Sequence, residues 1–190
     1  MNWEQLRGHD EAVRDDLANG EYRRALERLV NGYQHAIVGF CQNMLSDASQ
    51  AEEVAQDIFL DAYKAMSRFR QDASVRTWLF AIARKKCLQT LRNRSRRRRI
   101  VHEKQSVIAD TAHRDPPVGL DDDEEARLQG VKLGLSALAE ERRALLTMRY
   151  DTDLSVTDMA TILGVSTATV RRRLAQALGE LREVINSDAR

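Results

Sequence analysis

The sequence predicts an all-α fold: two small helical domains joined by a flexible linker. Three observations predict it. Ala, Leu, Arg and Glu are abundant, while aromatic residues make up only 5%, a mixture that favours helices over strands. Apolar residues recur at three-four spacing in several stretches, and none shows the alternation of a strand. The two prolines, Pro116 and Pro117, are adjacent. They lie in Asp110–Gly119, which has no helical period and runs into the acidic stretch Asp121–Glu125. Proline cannot continue a helix and pushes its predecessor toward extended geometry. Structureless loops of this length are uncommon inside one compact domain. The chain therefore divides into domains at 1–99 and 128–190, with a linker over 100–127.

The first domain carries three helical patterns. Over residues 11–45 the apolar positions include Leu26, Leu29, Val30, Tyr33, Ile37, Phe40 and Met44. A second stripe runs Ala51, Val54, Ala55, Ile58, Phe59, Ala62, Ala65 and Met66, and a third Val75, Trp78, Leu79, Ile82, Ala83, Cys87 and Leu91. Each repeats as one face of an amphipathic helix. In the second domain the helical patterns lie near 126–138, 141–150, 155–163 and 166–186.

Composition excludes several classes of function. Hydrophobic residues reach 43% of the 190, enough for a core. No run of about 18 apolar residues exists, so no membrane insertion is expected, and the N-terminal residues lack the apolar stretch of a signal peptide. Cys41 and Cys87 stand far apart without a CxxC context, which suits reduced thiols in helix cores and a cytoplasmic protein. The four histidines do not cluster with them, so no metal and no cofactor are expected. No nucleophile–base spacing or glycine-rich phosphate loop is present, and the chain reads as a non-enzyme. Charged residues make up 31% with a net charge of only +1, but the two signs occur in separate blocks.

The second domain contains a helix-turn-helix pattern. Ser155 can cap a helix, with Asp158 three residues on in the manner of a capping box. Gly164 permits a sharp turn, and Ser166 caps a second helix whose inner face is Val170, Leu174, Ala177 or Leu178, Leu181 and Ile185. Small Ala160 lets the two helices approach, and branched Val170 locks them together. The outer face carries Thr167, Thr169, Arg171, Arg172, Arg173 and Gln176. In a major groove, arginine can pair bidentately with guanine and glutamine with adenine.

The first domain holds two opposed charge features. Between Arg84 and Arg99 lie nine basic residues and no acidic one, with Lys85, Gln89, Arg92 and Arg96 on one helical face. Such a stripe neutralises phosphates. The lead-in Phe69-Arg70-Gln71-Asp72-Ala73-Ser74-Val75-Arg76-Thr77-Trp78 mixes aromatic, basic and small polar groups, which suits single-stranded DNA. Taken alone, Phe69 and Trp78 also fit a core. Along residues 49–66, Glu53, Asp57 and Asp61 share a face, with Glu52 and Gln56 beside it. This fits either a basic protein partner or plain solvent. A conventional helix-turn-helix regulator is the rival reading, but it gives the acidic and basic helices no joint role.

Together these segments resemble bacterial sigma factors. Ala51-Glu52-Glu53-Val54-Ala55-Gln56-Asp57-Ile58-Phe59-Leu60-Asp61-Ala62-Tyr63 is similar to sigma region 2.2. Phe69 to Asp72 and Thr77 to Arg84 resemble regions 2.3 and 2.4. Gly134 to Leu138, Asp158 to Ala160 and Ser166 to Leu174 resemble region 4.2. The three occur in the right order and nothing corresponds to regions 1.1 or 3, an architecture similar to the extracytoplasmic-function (ECF) class.

The resemblance implies roles. The region 2.2 face, with Glu52, Glu53, Gln56, Asp57, Phe59 and Asp61, would dock on the clamp helices of core RNA polymerase. The unpaired −10 strand would meet Phe69, Arg70, Asp72, Ser74, Thr77, Trp78, Arg84, Lys85, Lys86, Gln89 and Arg92. The helix-turn-helix, through Ser166, Thr167, Thr169, Arg171, Arg172, Arg173 and Gln176, would read −35 duplex DNA and rest on the polymerase flap. An anti-sigma factor is an expected further partner. The sequence departs from the family pattern in four places. Lys85 stands where asparagine is frequent and Arg172 where serine is. Leu138-Ala139 replaces Leu-Pro, and Asp158-Met159-Ala160 replaces Glu-Ile-Ala.

Overall fold

A computed structural model describes residues 6–104, 130, 131 and 133–188, all helices and turns with no strand among them. Helix α1 spans Leu6–Ala18, α2 Tyr22–Leu45 and α3 Ala48–Ala65. A 3₁₀ turn, Met66–Arg68, then leads to α4, Val75–Lys104. Helix α5 includes residues 133–137, and α6 (Glu140–Tyr150), α7 (Val156–Leu163) and α8 (Thr167–Asp188) complete the chain.

The breaks between helices follow local chemistry. The pattern read across 11–45 is two helices, parted at Gly20, whose φ of 74° is open to glycine at little cost. Ser46 ends α2 in the left-handed region, its N–H reaching the Gln42 carbonyl at 2.9 Å. Asp47 caps α3 by accepting from the Gln50 N–H at 3.0 Å. Helix α4 runs on to Lys104, so the expected linker start at 100 is corrected: residues 100–104 are helical. From Arg92 to Ile100 the residues of α4 are exposed, with only Arg94 half-buried, but its arginines are good helix formers and no proline interrupts them. The remaining linker, including the acidic run Asp121–Glu125, falls outside the described residues.

The core of the first domain gathers Leu29, Tyr33, Ile37, Phe40 and Met44 of α2 with Ile58 of α3 and Leu79 and Phe80 of α4, all buried. Phe40 and Phe80 meet edge-to-face, centroids 5.7 Å apart. Cys41 and Cys87 are both buried there as free thiols, their sulfurs 3.7 Å apart. The hydrogen bond with Cys87 and burial raise the Cys41 pKa, keeping the thiol protonated. In the second domain Leu145, Met148, Leu154, Met159, Val170 and Ala177 are buried. Gly134 lets α5 lie against α8: a Cβ there would stand 2.8 Å from Leu181 Cδ1.

The two domains are not held apart. Buried residues of α2 and α4 continue into those of α6 and α7 as one apolar core. Arg143 of α6, only 8% exposed, sits at the junction. Its guanidinium donates to the carbonyls of Leu135 (2.8 Å), Ser136 (2.6 Å) and Leu138 (3.3 Å) in its own domain. It also donates to Met44 at the end of α2, at 2.8 Å. The side chain therefore satisfies carbonyls that would otherwise be buried without donors. Hydrogen bonds from a charged donor contribute roughly 1.5–3 kcal/mol each, without being additive. Replacing Arg143 by Met should lower stability by about 3 kcal/mol or more in chemical denaturation, and a shift of a few tenths would show the contacts to be inessential.

Candidate polymerase and promoter-DNA surfaces

The outer face of α3 bears Glu52, Glu53, Gln56 and Asp57, all exposed. They are not alone. Leu60 and Tyr63, one and two turns further along, are exposed large hydrophobic residues. Beside them an open groove of about 790 Å³ runs between α2 and α3, lined by Leu26, Val30, Val38, Ala55, Phe59 and Leu60 with Glu52 and Gln56 at its edge. Acidic groups bordering apolar surface suit a protein partner better than solvent does. Leu60 and Tyr63 were legible as the outer-face continuation of Gln56, but in the sequence they pass as ordinary members of an apolar-rich helix.

Phe59 is 8% exposed and belongs to the core, because it follows the buried Ile58 on the inner edge of α3. Only its margin borders the groove. Asp57 and Asp61 are shared with Lys86 of α4, whose ammonium lies 3.1 Å and 2.9 Å from them. The hydrogen bond with Asp61 leads in raising the Lys86 pKa. Lys86 thus joins the basic helix to the acidic one, and it faces α3 instead of open solvent.

The −10 candidates begin with a compact loop. Phe69 and Trp78 are half-buried and pack on each other, centroids 4.9 Å apart. Between them Arg70 and Asp72 form an exposed ion pair at 3.2 Å, with Gln71 at a φ of 59°. Arg14 of α1 braces the loop by donating to the Ala73 carbonyl at 2.9 Å. Ser74 caps α4 through the Thr77 N–H at 3.0 Å. Thr77, placed on the DNA by its sequence position, is 2% exposed. Its hydroxyl donates to Asp158 of α7 at 2.8 Å. Further along α4, Lys85, Gln89 and Arg92 are exposed, while Arg84 is half-buried.

The helix-turn-helix forms as its sequence requires. Ser155 and Asp158 make a reciprocal capping box on α7, and Gly164 closes it with a φ of 62°. Partial burial pushes the Asp158 carboxyl up, but hydrogen bonds from Ser155 and Thr77 outweigh this and hold its pKa below 3.8. Ser166 accepts from the Thr169 N–H at 3.2 Å and starts α8. Arg171, Arg172, Arg173 and Gln176 are exposed on α8, with Thr167 and Thr169 half-exposed beside them. Six polar side chains within nearly three turns of helix are thus exposed or half-exposed, a supply of polar groups that groove reading needs.

Comparison with known proteins agrees with this layout. Residues 29–97 match the family Sigma-70 region 2, and residues 130–181 match Sigma-70, region 4. The chain is 32% identical to the RNA polymerase sigma-H factor of Pseudomonas aeruginosa, over 88% of this chain and 89% of that protein. It is 31% identical to the ECF RNA polymerase sigma factor RpoE of Cereibacter sphaeroides, over 84% and 85%. Among solved structures, CnrH in complex with the cytosolic domain of CnrY superposes with a TM-score of 0.69, covering 95% of this chain and 99% of that one at 21% identity. The sigma factor RpoE in complex with the anti-sigma factor NepR from Bartonella quintana gives 0.67, covering 85% and 97% at 23% identity. With an acidic α3 face, a basic α4 and an exposed recognition helix on one chain, and with these relatives, the protein belongs to the sigma-70 family of RNA polymerase sigma factors, in its ECF class.

Proposed function

We propose that this chain binds core RNA polymerase through the outer face of α3 and directs it to promoters by reading DNA with α4 and α8. The observation that carries the reading is the separation of surfaces. Glu52, Glu53, Gln56 and Leu60 are exposed on α3 of the first domain, and the recognition residues Arg171, Arg172, Arg173 and Gln176 are exposed on α8 of the second. A partner with basic residues around an apolar ridge fits the α3 groove, and DNA phosphates fit Lys85, Arg92 and the arginines of α8. The factor works in the cytoplasm, where the polymerase is, and supplies recognition without catalytic chemistry. Two solved relatives of the same fold are complexes, one of them with an anti-sigma factor, and a regulator of that kind is a fitting partner here.

Mixing the purified chain with core polymerase tests the reading directly: a complex on a density gradient and promoter-specific transcripts are expected, and failure to bind core would refute it. Leu60→Asp or the pair Glu52→Lys and Glu53→Lys should weaken that complex at least tenfold without loss of helix content. Arg171→Ala should cost about 1–3 kcal/mol at one −35 position if the contact is bidentate to a base; a uniform loss on every sequence would assign it to phosphate. Lys85→Ala should weaken single-stranded DNA binding, whereas Lys86→Met should leave it nearly unchanged. Equal losses for both would mean that Lys86 leaves Asp57 and Asp61 to meet the strand.

A further inference from the structure

Helix α1 precedes residue 29, where the likeness to sigma region 2 begins, so its role must be read from its contacts. It is firmly seated. Val13 and Leu17 are buried in the core of the first domain, and Asp16, itself 6% exposed, accepts from Arg28 of α2 at 2.7 Å. Asp10 and Arg14 stand one turn apart on this helix and therefore share a face. Both meet the lead-in to α4. Arg14 donates to the Ala73 carbonyl at 2.9 Å. Asp10 accepts from the buried Tyr33 hydroxyl at 2.5 Å, and the same carboxylate interacts with the backbone N–H and the guanidinium of Arg76. The first N–H groups of a helix have no partner within it, and a carboxylate beside them also meets the positive end of the helix dipole. Ser74 already serves the Thr77 N–H, so Asp10 serves the neighbouring one from another helix.

The two α1 side chains thus grip the chain on either side of Ser74, at Ala73 and at Arg76. The other end of the lead-in is fixed where Phe69 packs on Trp78. Between these anchors Arg70, Gln71 and Asp72 are exposed. Gln71 holds a φ of 59°, a conformation that a residue with a side chain keeps only where its surroundings impose it. The Arg70–Asp72 ion pair is too exposed to impose it, so the shape of the turn is set from its ends. Discrimination between bases needs that shape, because recognising groups must be held to within about 0.5 Å of their working positions. We infer that Asp10 and Arg14 are positioning residues for recognition of the −10 strand: they hold Ala73 and Arg76, and through them the Arg70–Asp72 turn, in one shape, and touch no base themselves. The inference rests on the reading of this turn and α4 as the −10 surface.

Holoenzyme assembled from the full chain and core polymerase tests this. The probe is a library built on a promoter that the holoenzyme transcribes, in two forms: random bases in an unpaired −10 segment, or random bases in the paired −35 element. Bound members are sequenced. Arg14→Met keeps the stem and removes the donor. Asp10→Ala combined with Tyr33→Phe removes both partners of their hydrogen bond, so that neither is left buried alone. Either variant should reduce the discrimination between the best and worst base of the −10 segment at least fivefold. The −35 preference, the affinity for core polymerase and the helix content by circular dichroism should stay unchanged. Glu11→Ala, an exposed neighbour on α1, should match wild type. An unchanged −10 preference in either variant would overturn the positioning role. So would a loss that falls equally on the −10 preference, the −35 preference and core binding, which would make α1 a stabilising element alone. A wild-type holoenzyme with a base preference at −35 and none in the unpaired segment would instead remove the reading of the turn as a −10 surface, and the positioning role with it.

Discussion

A buried guanidinium must find acceptors, and the position of Arg143 depends on that requirement. Burial alone lowers its pKa, with Glu140 opposing, yet arginine keeps its proton at any physiological pH. The charge is met by carbonyl oxygens: two from α5, one from the turn after it and one from the end of α2. One side chain thus shapes the entry to the second domain and fastens that domain to the first. The position of α6 fixes α7, because Leu154 and Met159 are buried with α6's Leu145 and Met148. The position of α7 in turn places Asp158 over Thr77.

Charge segregation along the chain works through distance. The net charge is +1, and Lys86 of α4 pairs with the acidic side of α3. By holding Asp57 and Asp61 it neutralises the inner part of the acidic face, and Glu52, Glu53 and Gln56 remain exposed outside it. On the opposite side of α4, Glu141 does for Arg92 what a phosphate would do. Exposed ion pairs of this kind contribute between nothing and about 1 kcal/mol and weaken with salt. They order the surfaces without fixing them.

The helix-turn-helix was legible in the sequence because its determinants are local. Ser155, Asp158, Gly164 and Ser166 each act within a few residues of themselves, and the structure uses each as its type requires. The apolar stripes of α2, α3 and α4 were legible for the same reason. Residue spacing alone did not reveal the partners of polar residues across the fold. Thr77 and Asp158 already have local work as members of helix-capping turns, so nothing in the sequence signals that they also bond to each other 81 residues apart. Arg143 looks like one more surface arginine in Glu140-Glu141-Arg142-Arg143. Its burial follows from the line of Ala144, Leu145 and Met148 beside it, once α6 is packed on two sides.

Each polar contact between the two domains is small beside the energy of a protein complex. Thr77–Asp158 and Asn43–Asp151 are hydrogen bonds to a carboxylate, a kind that contributes roughly 1.5–3 kcal/mol net. The Arg92–Glu141 pair adds at most about 1 kcal/mol. Of the four acceptors of Arg143, three lie in region 4 and one, the Met44 carbonyl, lies in region 2. Parting of the domains would therefore leave the guanidinium mostly satisfied. Shifting a two-state equilibrium from 1:99 to 99:1 takes about 5.5 kcal/mol of differential binding. A nanomolar protein complex provides about 12 kcal/mol. A partner that binds one domain parts it from the other only if some of its binding energy comes from contacts made in the parted state alone.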